Sequence, residues 1–378
     1  MTARTHVAQV PGVCWDAAAD AWIIRSHAMV AAFLADPHLD VVPDVSSAAA
    51  VRRREDQEPS VPEFFADWFS RSERHGPVKR HLHRPFSQRH LDALQAGFAE
   101  LANGLAGQLR PDRGDLLTEY LRPLALRSTL LVLEAPTDCA ASLEQVSGVL
   151  SRALNAPLLT ASQAEAVRRC IRYLRAVVVR LLDDPARTGP LVTALRQLRD
   201  EPDGGIWLPV ATYGQLLAAG FEPVAIGSAL AVRELAARGL FDRLRRGEMS
   251  AIDAGEEALR LHPPFTFIQR WSVAPCNCLG VPVRPRQRVI ADLRAIHRDP
   301  EVFANGGEFM LGRERRVNLT YGRGAHYCLG TASARLQVAA ALSAVSAAEP
   351  QVRVDPRAVQ TRQVGDYELV SLVPYTRK

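Results

Sequence analysis

No stretch of this sequence has an uninterrupted apolar run long enough to cross a bilayer. The N-terminal MTARTHVAQVPG also lacks the apolar centre of a secretory signal. The expectation is a cytoplasmic protein with no membrane anchor. Cysteines are few and scattered: of Cys14, Cys139, Cys170, Cys276, Cys278 and Cys328, only Cys276 and Cys278 lie close together. That is no zinc spacing, and a reducing compartment argues against disulfides. Positive charge is in modest excess, +5 formal, and the arginines are dispersed rather than gathered in the stripe that a nucleic-acid surface needs. An acidic protein partner and a solvated surface both account for the excess. What remains is 47% hydrophobic and 23% charged residues over 378 positions, an ordinary soluble composition with enough apolar mass for one large domain or two.

The chain is organised around Tyr321-Gly322-Arg323-Gly324-Ala325-His326-Tyr327-Cys328-Leu329-Gly330, followed by an Ala/Leu-rich run of helical spacing from Thr331 to Ala347. The cysteine stands on a tight turn at a helix N-terminus, where the dipole and free backbone N–H groups favour a thiolate. A single thiolate is one of the few ways a protein holds haem iron from one side. Glycines at 322, 324 and 330 let backbone approach a flat macrocycle with no Cβ in the way. An isolated cysteine after a glycine-rich turn is more often a buried structural residue. The whole stretch, however, closely resembles the haem-binding signature of the cytochrome P450 family, aromatic-Gly-x-Gly-x-His-x-Cys-x-Gly, with Tyr321 where phenylalanine is usual.

Further segments match in order and spacing over roughly residues 20–378. Asp20 to Pro37 reads as a strand, a helix and a proline stop. The irregular stretch 41–72 holds the aromatic group Phe64, Phe65, Trp68 and Phe69; its family counterpart covers the substrate, which makes Phe65 and Trp68 pocket candidates. His75 and Lys79 share a helix face ahead of Phe86-Ser87, resembling the family's His-x-x-x-Arg pair on a haem propionate, with lysine for arginine. Arg270 falls where a relative places the arginine for the other propionate. Residues 90–200 are helical in period and carry no recognisable chemistry.

Leu216, Ala219, Gly220, Glu222 and Pro223 lie on a long apolar helical pattern that resembles the family's central helix and its Ala-Gly-x-Asp/Glu-Thr motif. Pro223 replaces the threonine whose hydroxyl helps deliver protons during oxygen activation. A proline inside a helix costs about 3 kcal/mol, less where the helix is already opened. Glu257 and Arg260 match the family's bracing Glu-x-x-Arg, followed by Leu261-His262-Pro263-Pro264. Phe265 and Phe267 come next and would pass near the distal pocket. Ala295 to Phe303 resembles the family's Ala-x-Asn-Arg-Asp-Pro-x-x-Phe, with His297 for asparagine. Glu308-Phe309 stands where an Arg-Phe pair would complete the brace, which leaves Arg313 or Arg298 as substitutes.

The resemblance implies a mainly α fold with small β-sheets, one triangular-prism-like haem domain over residues 1–378. It implies haem b held by Cys328, with His75, Lys79, Arg270, Tyr321, Gly322, His326 and Gly330 around it. It implies an oxidase or monooxygenase acting on a specific small-molecule, natural-product intermediate, free or tethered to a carrier protein. No flavin or ferredoxin module is visible, so electrons come from a separate ferredoxin and ferredoxin reductase docking near Cys328. Neither nucleic acid nor membrane is expected as a partner, and a monomer is the default. Pro223 points away from routine hydroxylation towards coupling, cyclisation or desaturation. The alternatives are a peroxide-using peroxygenase, against which Glu222 stands, and a non-catalytic haem-binding docking domain.

Overall fold

The computed structural model describes residues 10–41, 57–66, 72–154, 158–202, 204–314, 317–348, 351–364 and 367–377. Trp68 lies outside them, and so does the side chain of His75. The chain wraps around the helix Trp207–Ala237. At 31 residues it is about 46 Å long at the usual rise. Its alanine, leucine, valine and glycine residues leave almost no polar face, so it must be buried nearly all round. Helices Arg122–Val132, Ala140–Leu154, Ala161–Asp183, Pro190–Arg199, Ala251–Leu261 and Thr331–Ala348 pack against it. Among the described residues it is the one helix long and apolar enough to cross a membrane, although Glu222, Arg233 and Glu234 interrupt its apolar run. Yet 67% of that window is buried inside the fold, the place of a core helix.

The strands are few and short: β1 (Val13–Asp16), β2 (Ala21–Ile24), β3 (Leu39–Asp40), β4 (Asp112–Asp115), β5 (Phe267–Ser272), β6 (Arg288–Asp292), β7 (Val352–Val354), β8 (Gln360–Val364), β9 (Tyr367–Leu372) and β10 (Pro374–Arg377). They form sheets ordered β1-β2-β6-β5-β3, β4-β10-β7 and β8-β9. In the first sheet β2 and β6 run parallel and the other pairs are antiparallel. Two large apolar clusters lie along the central helix, one around Leu217, Phe221 and Val224 and one around Leu230 and Leu235; a third lies on the first sheet.

The Glu-x-x-Arg segment lies on the helix Ala251–Leu261, which starts where the Ser250 hydroxyl accepts from the Asp253 N–H. Arg260 donates to both Glu257 oxygens at 2.8 Å, and both side chains are buried. Its remaining donors reach the carbonyls of His297, Gly306 and Glu308. Arg313 completes the brace, its Nε 3.1 Å from Glu257 Oε1. Arg298 does not, because it donates to the Leu261 carbonyl.

His297 is fully buried beside this pair. Its Nε2 accepts from the Leu319 N–H at 2.9 Å, so Nδ1 carries the proton and donates to the Arg260 carbonyl. Burial, then the Arg260 charge, lowers its pKa to about 3. The unfolded chain therefore binds a proton below about pH 6.5 that the folded chain refuses until about pH 3. Stability from this residue is complete above pH 6.5 and is lost as the pH falls. Between pH 7 and pH 5 the loss is about 2 kcal/mol. Denaturant midpoints at the two pH values should show it, and His297→Asn should flatten that slope; an unchanged slope would assign the acid limb to other groups.

Candidate active site

The Tyr321–Gly330 stretch forms a closed turn. The Cys328 N–H donates to the Tyr321 carbonyl at 2.9 Å and the Gly322 N–H to the Leu319 carbonyl at 2.9 Å. Gly322 and Gly324 have φ of +70° and +75°, a left-handed backbone that a side chain would strain. Gly330 adopts no such conformation; a Cβ there would meet only Cys328 Sγ, at 3.9 Å. His326 closes a single 3₁₀ turn, Gly324–His326, and is exposed. Tyr321 lies under the Arg335 guanidinium, 5.2 Å from its ring centre, and Arg335 donates to Glu256.

Cys328 stands at the start of the helix Thr331–Ala348, as its spacing predicts. Its surface is open, yet surrounding protein desolvates the thiol and raises its pKa. The Gly330 N–H, the Thr331 hydroxyl, Lys79 and Arg335 pull the other way and do not win. Burial of the thiol therefore works against the thiolate that the helix end favours. An atom that is both accessible and deeply surrounded faces an internal opening.

The central helix borders such an opening. Around its middle Leu217, Ala218, Phe221 and Val224 are buried, whereas Leu216, Gly220, Glu222 and Pro223 are only half-buried and Ala219 is exposed. Positions 216, 219, 220 and 223 fall on one helical face. Leu329 and Ala334, next to Cys328, pack into the same apolar cluster as Leu217 and Phe221.

Two basic side chains are desolvated nearby. Lys79 donates to the Ala325 and Tyr327 carbonyls at 2.7 and 2.9 Å, so the helix Ser72–Leu82 is tied to the cysteine turn. Burial lowers its pKa, offset in part by Cys328. Arg270 on β5 is drawn down to about 10 by burial. It donates to the adjacent Gln269 carbonyl at 2.8 Å and has no carboxylate partner among the described residues. A half-buried guanidinium without a carboxylate partner is costly and fits an anionic ligand group. An accessible interior cysteine, a small-residue stripe and Arg270 together fit haem with its propionates.

The other candidates separate. Phe267 and Arg270 stand three apart on β5 and point to opposite faces, so they cannot line one pocket. Phe267 packs on Ala21, Ile23 and Ile290. Phe65 packs edge-on against the buried Phe64, with ring centres 5.7 Å apart, on the short helix Val61–Ala66. Phe265 is half-buried between Pro264 and β5. Glu222 is held by both arms of Arg122, at 2.9 and 2.7 Å. The buried Thr129 donates from Oγ1 to the Gly220 carbonyl at 2.8 Å. No local pattern in the sequence marks Arg122 or Thr129, because both meet the central helix from a distant helix.

An accessible cysteine before a long helix, together with a small-residue stripe on a buried central helix, is the arrangement a haem-thiolate protein needs. A family model described as Cytochrome P450 matches residues 253–345. The chain is 26% identical to the mycinamicin IV hydroxylase/epoxidase of Micromonospora griseorubida over 76% of this chain and 73% of that protein. The crystal structure of CalO2 superposes with a TM-score of 0.85 at 23% identity, covering 97% of this chain and 93% of that one. P450BioI, solved with an acyl carrier protein ligated to hexadec-9Z-enoic acid, superposes with a TM-score of 0.80 at 19% identity, covering 95% and 92%. The chain is thus similar to cytochrome P450 haem-thiolate oxidoreductases, proteins that carry haem b, and it shares their fold.

Proposed function

We propose that this enzyme oxidises a small-molecule intermediate of natural-product biosynthesis by removing hydrogen, giving coupling, cyclisation or desaturation, rather than by routine hydroxylation. The observation behind this reading is the state of the proton donors on the central helix. Pro223 has no hydroxyl and no N–H. The Thr129 hydroxyl, which meets the helix at Gly220, has its proton committed to the Gly220 carbonyl. Both Glu222 oxygens are occupied by Arg122. Net hydrogen removal asks less of proton delivery than oxygen insertion does.

When bound, haem with a thiolate ligand supplies the oxidising chemistry. Cys328 would be the ligand, with His326, Tyr321, Gly322 and Gly330 shaping the turn beneath the macrocycle. Arg270, with His75 and the remaining donor of Lys79, would hold the propionates. Leu216, Ala219 and Pro223 would form the wall facing the substrate, and Arg122 would keep the Glu222 carboxylate aligned. The exposed Arg323 within the cysteine turn, with Arg80 next in sequence to Lys79, suits an acidic ferredoxin as electron donor. A carrier-tethered substrate is in keeping with the P450BioI complex.

The test begins with reconstitution using ferredoxin, its reductase and candidate intermediates, free and carrier-bound, followed by mass analysis of the product. Loss of two hydrogens supports the reading; gain of one oxygen as the sole outcome overturns it. Pro223→Thr restores a hydroxyl to the helix. It should raise oxygen-inserted product by about a hundredfold, the lower end of general acid catalysis, with an unchanged Soret spectrum. No rise in inserted product, with haem retained, would show that the proline does not set the outcome.

A further inference from the structure

Away from the haem site, the fold brings three metal-binding side chains together. Asp36 lies just before β3, and Cys276 and Cys278 lie just after β5, the strand with which β3 pairs. One ligand atom from each falls within 4.8 Å of the others, and all three residues are half-buried. The two sulfurs are 4.0 Å apart. Two zinc–sulfur bonds of about 2.3 Å at the tetrahedral angle place sulfurs about 3.8 Å apart. The cysteines therefore already stand near the required edge length.

Their backbone is held as well. The N–H and C=O of Cys276 exchange hydrogen bonds with Val283 at 3.1 and 2.9 Å. The turn between them closes from the Gly280 N–H to the Asn277 carbonyl at 3.1 Å, with Gly280 at φ +70°. Asp36 is oriented by the His38 N–H, which donates to Oδ1 at 2.7 Å. His38 Nδ1 lies 3.1 Å from the same oxygen, the kind of outer partner that fixes a ligating carboxylate.

We propose that Asp36, Cys276 and Cys278 form a zinc site that fastens the start of β3 to the hairpin following β5. Water completes the tetrahedron. The spacing Cys276-Asn277-Cys278 is no zinc pattern by itself; the third ligand comes from the other end of the sequence. Binding Zn²⁺ releases both thiol protons to solvent and leaves two thiolates and one carboxylate on the ion. No electron transfer is involved.

The experiment uses the haem-loaded enzyme. After incubation with zinc chloride and gel filtration, zinc and iron are counted by mass spectrometry. One zinc per haem is expected, and less than about a tenth would overturn the proposal. In parallel, thiols are alkylated and mapped by peptide mass. Zinc should protect Cys276 and Cys278 together, and a chelator should expose both. Equal labelling with and without zinc would overturn the site. So would a metal-independent block reversed only by a thiol reductant, which would make the pair a disulfide. Cys276→Ser with Cys278→Ser should lose the zinc while keeping the haem spectrum, and retention of zinc would place the metal elsewhere. Should that variant fail to fold, Asp36→Asn and the wild-type protection assay carry the same test.

Discussion

Glu257→Ala should destabilise the folded protein by about 3–5 kcal/mol, the usual cost of breaking a buried ion pair by removing one partner. The size follows from what the carboxylate does. It accepts from Arg260 twice at 2.8 Å, from Arg313 at 3.1 Å and from the Met310 N–H at 2.8 Å. Arg260 is 1% exposed and would keep its charge with only carbonyls around it. Those carbonyls belong to His297, Gly306 and Glu308, which fix the segment leading into the cysteine turn. Lost stability should therefore come with lost haem. Urea midpoints and haem-to-protein ratio measure both, and a loss below about 1 kcal/mol would mean that the pair is dispensable. Arg313→Ala should cost less, since Arg313 is 14% exposed at the side chain and Glu257 keeps its better partner.

The comparison of these two arginines shows what could be read in the sequence. Glu257 and Arg260 lie three apart on a helix, and such a pair is legible from spacing alone. The choice between Arg313 and Arg298 was not, because it depends on how a loop folds back over the helix end. The cysteine turn was legible for the same local reason: two left-handed glycines, a closing N–H and a following helix all sit within a dozen residues. The protonation of its thiol was not. The dipole is a property of one helix, but desolvation is the work of the whole surrounding fold.

Distance along the chain also hid Arg122, which reaches Glu222 from the start of another helix. It hid Asp36, without which Cys276 and Cys278 look unremarkable. The separation of Phe267 from Arg270 has a simpler reason. Once residues 267–272 form a strand, period two sends Phe267 to the face opposite Arg270.

Cys328→Ser should abolish the strongly red-shifted Soret band of the reduced carbon-monoxide complex, and turnover with it. The turn itself should survive. It closes through the backbone of Cys328 and Tyr321, and through the Thr331 hydroxyl donating to the Cys328 carbonyl at 2.8 Å. Serine is smaller, so Gly322 and Gly324 need not move. What changes is the donor atom. The Cys328 thiol is held protonated by burial in the absence of metal, yet a coordinating metal deprotonates a thiol outright. The Gly330 N–H and the charges of Lys79 and Arg335 are already placed to stabilise the resulting thiolate. A serine hydroxyl is a far weaker acid and a hard donor, and those same groups cannot turn it into an equivalent ligand. Haem held by Arg270 and the apolar slot, with its band at a position other than the thiolate one, is the expected spectrum. A variant that kept the red-shifted band would remove Cys328 from the metal, and with it the assignment of the open central-helix stripe as the opposite wall of the site.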